Sequence, residues 1–132
     1  MREFDVKGAT DVTGFALLGH AWELACASEI TIEIDSARVP ILPGALDLAS
    51  AGMLTSGDKT NREYIGEDIE FSEDVSKDMR SLLFDPQTAG GLLISIAAGR
   101  ADALLGRLRA DYPQAEIIGN VVERRTRSIV VK

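Results

Sequence analysis

Residues 92–131, LLISIAAGRADALLGRLRADYPQAEIIGNVVERRTRSIVV, decide the fold class. Leu92-Leu-Ile-Ser-Ile-Ala97 places apolar side chains at both parities, the pattern of an interior strand covered on two faces. Ala101, Leu104, Leu105 and Leu108 then recur at helical spacing, and the helix ends before Pro113. Two strand-like runs, 116–123 and 127–131, follow closely enough to pair as a hairpin. Strand, helix, strand and strand in this order predict a right-handed crossover and then a hairpin. The class is therefore α+β, a mixed and mainly antiparallel sheet with helices packed on its faces.

The upstream sequence supplies the remaining layers. Phe15, Leu18, Ala21, Trp22 and Ala25 form the apolar stripe of a core-facing helix over residues 14–28. Ile30-Thr-Ile-Glu-Ile-Asp35 alternates strictly, so a strand with its isoleucines inward is expected. Pro43 and Gly52 bracket a short helix. Residues 54–64, rich in Ser, Gly, Asp, Lys, Thr and Asn, show no period and are expected to be a loop. A weak strand over 68–71 precedes a helix over 73–83, whose apolar side is Val75, Met79, Leu82 and Leu83.

The length of 132 residues suits a single domain spanning residues 1–132, and 45% hydrophobic with 27% charged residues is a globular composition. The formal charge of -7 argues against a nucleic-acid backbone as partner, because such binding needs clustered cations. Arg124, Arg125 and Arg127 are expected at a solvated hairpin tip. A single cysteine, Cys26, excludes an internal disulfide, and with the sole histidine, His20, it cannot complete a structural zinc site. No apolar run is long enough for a bilayer, and the N-terminus lacks a signal-peptide core, which makes the cytoplasm the expected location.

Candidate chemistry starts at Ala9–His20, ATDVTGFALLGH. Asp11, Thr13 and Gly14 precede an apolar helix, where free N–H groups and the helix dipole favour anionic oxygens. Thr13 reads as an N-cap and Asp11 as either a capping residue or a metal-binding carboxylate, with Gly14 allowing close backbone approach. Mg²⁺ takes one or two carboxylates together with water and phosphate oxygens, so Asp11 needs partners from elsewhere. His20 reads as a hydrogen-bonded packing residue and Cys26 as a small buried hydrophobe. Phe84-Asp-Pro-Gln-Thr-Ala-Gly-Gly91 is either a tight helix-to-strand connection or a ligand-facing loop, with Gln87 and Thr88 as its side chains to test. No GxxxxGK[ST] loop, GxGxxG turn or Ser/His/Asp arrangement is present.

Thr10-Asp-Val-Thr-Gly-Phe-Ala-Leu-Leu-Gly-His20 resembles the TDVTGFGLLGHA opening of the C-terminal domain of the selenophosphate synthetase (selenide, water dikinase) family. Leu82-Leu-Phe-Asp-Pro-Gln-Thr-Ala-Gly-Gly-Leu-Leu-Ile94 resembles that family's LLxDPQTSGGLL segment. Val39-Pro40, Gly44-Ala-Leu-Asp-Leu-Ala49, Gly52, Asn61 and Ile117-Ile-Gly-Asn-Val-Val122 extend the likeness over nearly the whole chain. The resemblance implies the C-terminal-domain fold shared with aminoimidazole ribonucleotide synthetase. It further implies formation of selenophosphate from selenide, ATP and water, with AMP and phosphate released. The resemblance matches Asp11 to a magnesium ligand of that domain and places Thr13 and Gly14 along the phosphate edge without a further role. The nucleophile, the lysine and most of the metal-binding aspartates belong to an N-terminal domain not contained in this chain, so the isolated chain is expected to be inactive and the full-length enzyme a homodimer. Ala16 departs from the family's glycine, and Ser56-Gly57-Asp58 from a more glycine-rich turn. A stand-alone binding or dimerisation domain, or another member of the same ATP-binding superfamily, are the alternatives.

Overall fold

Six strands and five α-helices follow one another along residues 2–6 and 8–132, which are the residues described by the computed structural model. Met1, where the expected domain begins, lies outside them. The order is β1 (Gly8–Asp11), α1 (Ala16–Ala27), β2 (Ile30–Ile34), α2 (Ala45–Ser50), α3 (Ser56–Ile65) and β3 (Ile69–Phe71). It continues with α4 (Lys77–Leu83), β4 (Leu92–Ser95), α5 (Ala98–Arg109), β5 (Gly119–Glu123) and β6 (Ile129–Val131). The architecture is α+β with mixed sheets, as expected. A four-stranded sheet has the order β3-β6-β2-β5, and β1 pairs with β4 in a second sheet. β6 runs parallel to both β3 and β2, while β2–β5 and β1–β4 are antiparallel. No helix among the described residues is long and apolar enough to cross a membrane.

The core lies between the four-stranded sheet and the helices α1 and α4. Leu18, Ala21 and Ala25 of α1 meet Ile34, Ile129 and Val131 of the sheet, with Ile65, Val75, Leu83 and Phe84 closing the cluster. Each fully buried large side chain contributes about 1.5–3 kcal/mol relative to exposure. Ser76 caps α4, its hydroxyl accepting from the Met79 N–H at 3.1 Å.

The hairpin expected at the C-terminus does not form, because β2 lies between β5 and β6. Ile129 and Val131 are fully buried, and such a short apolar strand is best satisfied inside the sheet with a neighbour on each side. Strand spacing makes the step over β2 about 10 Å, within reach of residues 124–128. Thr31, the second residue of β2 and fully buried, organises that step. Its hydroxyl donates to the Arg127 carbonyl at 2.7 Å and accepts from the Arg125 N–H at 2.9 Å. The three isoleucines of β2 face the core as expected, Ile34 buried within it and Ile30 and Ile32 half-buried against it, while Thr31 is buried on the opposite face. The arginines are not a free tip, since Arg125 pairs with Glu33 at 2.5 Å and Arg124 with Asp68 at 3.6 Å.

Three further expectations are corrected. β4 is not interior: it pairs only with β1 among the described residues, and Leu92 is 61% exposed. With β4 and β5 in different sheets, the expected crossover through α5 does not form. Residues 54–64 are not a loop, because α3 occupies Ser56–Ile65. Its polar sequence hides a helix held by Asp58–Arg62 at 3.0 Å and Lys59–Glu63 at 3.8 Å, with Asn61 and Ile65 buried one turn apart.

Candidate functional site

The pairing of β1 with β4 does not stop at Asp11. It continues as backbone bonds between two loops, with the Val12 N–H donating to the Gly91 carbonyl at 2.9 Å and the Gly90 N–H to the Val12 carbonyl at 3.1 Å. The Gln87 N–H then donates to the Thr13 carbonyl at 3.0 Å. A Cβ at Gly90 would lie 2.4 Å from the Val12 carbonyl oxygen, so glycine is required for this approach. The two sequence motifs singled out above thereby form one edge.

α3 closes the edge from behind. The Asn61 side-chain N–H₂ donates to the Gly14 and Phe84 carbonyls, each at 3.0 Å. The Thr55 hydroxyl donates to Asp85 Oδ1 at 2.8 Å. Gly57 lies so close to Pro86 that a Cβ would stand 2.1 Å from the ring. These residues were invisible as site elements while 54–64 read as a loop. The one available signal was Asn61, at which the family-like stretch ends.

Asp11 is the last residue of β1, opposite Leu92, and is not a helix-terminal residue. Its side chain is exposed, and no hydrogen bond or ion pair to its carboxylate occurs among the described residues. Thr13 is not the N-cap of α1: that position is held by Phe15, without a side-chain cap. The Thr13 carbonyl instead accepts from the Ala16 N–H at 3.0 Å, and its hydroxyl pairs with His20 Nε2 at 3.0 Å. His20 is 9% exposed, with Glu23 at 3.4 Å from its other nitrogen, a packing residue as expected. A Cβ at Gly14 would meet no atom within 4 Å, and the residue enters the site through its carbonyl. Phe15 leaves the expected core stripe and is 43% exposed, stacking on Tyr64 at 4.9 Å. Gln87 turns inward, donating from Nε2 to the Asp85 carbonyl at 3.1 Å, and Thr88 is exposed.

Ala16 has φ 61 although it is fully buried, a left-handed conformation in which a Cβ is strained. The methyl group at this position therefore brings local backbone strain at the first residue of α1.

An exposed carboxylate at a strand end, without a partner among the described residues, suits one ligand of a hard divalent cation. No group of three or more His, Cys, Asp or Glu side chains converges on a metal position among the described residues. Any further oxygens would come from phosphate, water or another domain. Two shallow grooves, one lined by Val39, Ile41, Leu46 and Met79 and one by Cys26, Glu29 and Arg124, lie away from Asp11.

A second polar cluster sits where α1 meets β3 and β6. Asp68 accepts from the Trp22 indole at 2.9 Å, from the Ser128 N–H at 2.9 Å and from the Ser128 hydroxyl. Burial alone would push the Asp68 carboxyl up, but the Ser128 and Trp22 hydrogen bonds and the Arg124 charge outweigh it and hold it below its ordinary value. Cys26 lies 3.9 Å from Asp68 and 3.5 Å from the Ser128 hydroxyl, half-buried in this network and not an isolated hydrophobe.

The family model "AIR synthase related protein, C-terminal domain" matches residues 1–132. This chain belongs to that family. A selenide, water dikinase of Clostridioides difficile (strain 630) is 42% identical to this domain over 130 residues, covering 98% of the chain and 37% of the relative. One from Pelobacter propionicus is 41% identical over 133 residues, covering 100% of the chain and 38% of the relative. The AIR synthase-related domain described here therefore spans little more than a third of the length of these relatives. In fold it is similar to the crystal structure of a thiamine-monophosphate kinase from Stenotrophomonas maltophilia K279a, with a TM-score of 0.58 and 22% identity over 99% of this chain and 32% of that one.

Proposed function

We propose that this domain is the C-terminal part of a selenide, water dikinase and that Asp11 supplies one ligand to a magnesium ion beside the ATP phosphates. The observation that carries this reading is the meeting of the DVTG and DPQTAGG segments along one edge, with the Asp11 carboxylate exposed at its tip and not bonded to any of the described residues. The identity of about 40% to selenide, water dikinases over the whole chain supports it. Asp85 and Gln87 are tied into the loop, so they hold its shape, while Thr88 and Gly14 face the space beside it.

The roles of this chain's residues follow from that arrangement. Asp11 offers a hard, anionic oxygen. The backbone pairs at Val12 and Thr13 keep that oxygen from drifting, which matters because phosphoryl transfer depends on positioning and electrostatics. The His20–Thr13 pair turns the Thr13 hydroxyl inward, leaving Asp11 as the acidic group of the DVTG segment. When bound, Mg²⁺ neutralises charge on the phosphate oxygens. The nucleophile and remaining ligands belong to the part of the polypeptide beyond this domain, the full-length enzyme is a homodimer, and the 132-residue chain alone forms no AMP.

Asp11→Asn in the full-length protein tests the reading. It preserves side-chain size and removes the charge, so the fold survives and AMP formation from ATP and selenide falls about 100-fold or more. A variant with the parent rate and the parent Mg²⁺ dependence overturns the assignment.

A further inference from the structure

The paired segments of the candidate site diverge at Gly14 on one side and Phe84 on the other. Beyond Thr13 and Gln87 no backbone bond joins them among the described residues. Asn61 spans that gap. Its carboxamide is 3% exposed, and Nδ2 spends both hydrogens on carbonyls, Gly14 and Phe84, each at 3.0 Å. Both acceptors need a partner of this kind. Phe84 is the C-terminal cap residue of α4, and Gly14 lies in the turn before α1, so neither carbonyl belongs to a sheet ladder.

We infer that Asn61 is a positioning residue for the Asp11 carboxylate, acting through the backbone of residues 12–14; this rests on the metal-ligand reading of Asp11. The planar amide fixes the separation of its two acceptors, and with it the spacing of the two loops. Asp11 is held on one side by β4, but the next two residues pair with a loop instead of a strand. That loop is itself located by α3 at three points: Thr55 on Asp85, Gly57 against Pro86, and Asn61 on Phe84. Asn61 is the point that touches both loops. Releasing it frees the Gly14 end of the Asp11 segment and the Phe84 end of its partner together.

The test uses the full-length protein with Mn²⁺ as the probe, its binding read by electron paramagnetic resonance in the presence of a non-hydrolysable ATP analogue. Asn61→Ala is expected to weaken Mn²⁺ binding about tenfold, the usual cost of losing a group that orients a ligand. The Mg²⁺ concentration for half-maximal AMP formation should rise in parallel, while KM for ATP at saturating Mg²⁺ changes little. Gly57→Ala displaces Pro86 from the opposite side and should act in the same direction, and it serves in place of Asn61→Ala if that variant does not fold. A folded Asn61→Ala or Gly57→Ala protein that binds Mn²⁺ like the parent overturns the inference. Asp11→Asn run alongside separates the two ideas. If it abolishes Mn²⁺ binding while Asn61→Ala leaves it intact, the positioning role falls and the ligand role stands. If Asp11→Asn binds Mn²⁺ normally, both fall.

Discussion

Asp11 and Asp68 are two carboxylates of one small domain in opposite situations. Asp68 is tied to the indole of Trp22, to the amide and hydroxyl of Ser128 and to Arg124, and its acceptor capacity is spent inside the fold. Asp11 sits at a strand end whose backbone is pinned by the 84–91 loop, yet its own oxygens meet none of the described residues. At the Asp68 end, side chains do the bonding and the backbone is ordinary sheet. At the Asp11 edge, backbone does the bonding and the acidic side chain is left over. A carboxylate that the fold holds in place but does not consume is available to a ligand, whereas one saturated by hydrogen bonds is a structural part.

This contrast can be broken by stability measurements. Asp68→Ala leaves the buried donors of Ser128 and Trp22 without a partner and should destabilise the protein by about 3 kcal/mol. Asp11→Ala should cost about 0.5 kcal/mol or less, as for a surface position without partners. Denaturant unfolding of both variants checks the pair, and equal losses would abolish the distinction.

Acid sensitivity sharpens it. The Asp68 carboxyl is held below its ordinary value of 3.8, so its contribution is present above that pH and is lost as pH falls through the lower folded value. Glu33, whose carboxyl is lowered by the Lys132 hydrogen bond and the Arg125 charge despite some opposing burial, behaves in the same sense from 4.5 downward. Stability measured from about pH 5 to about pH 2 should therefore fall less steeply in Asp68→Asn than in the parent, with the Glu33 contribution remaining in both. Parallel curves would show that Asp68 is not spent in the way the geometry indicates.

A small effect of opposite sign concerns the strained turn beside the site. Ala16→Gly relieves the Cβ clash at φ 61 but loses a buried methyl group and makes the unfolded chain more flexible. The balance should raise stability by up to about 1 kcal/mol, read as a small increase in melting temperature. A decrease would mean that packing of the methyl group outweighs the strain.

Much of this was legible in the chain itself. The α1 stripe of Leu18, Ala21 and Ala25 and the strand at Ile30–Ile34 follow from apolar period alone, and the mixed α+β class holds although the crossover and hairpin expected with it do not form. Both motif segments were visible as unusual clusters of Asp, Thr and Gly. The helix over Ser56–Ile65 was not, because its stabilisation comes from ion pairs one turn apart and from two buried residues, which composition reads as loop. Thr13 resembled a cap because local sequence cannot reveal that His20, one and a half turns into the helix, competes for its hydroxyl.

Sequence by itself determined which segments bury apolar faces and which residue types gather near residues 11–14 and 84–91, since side-chain period and turn chemistry are local properties. Tertiary structure alone decided that β2 separates β5 from β6, that α3 exists, and that Asn61 joins Gly14 to Phe84. Those outcomes depend on strand order and on buried polar groups finding partners far along the chain. Their free energy belongs to the assembled fold and to no single segment of it.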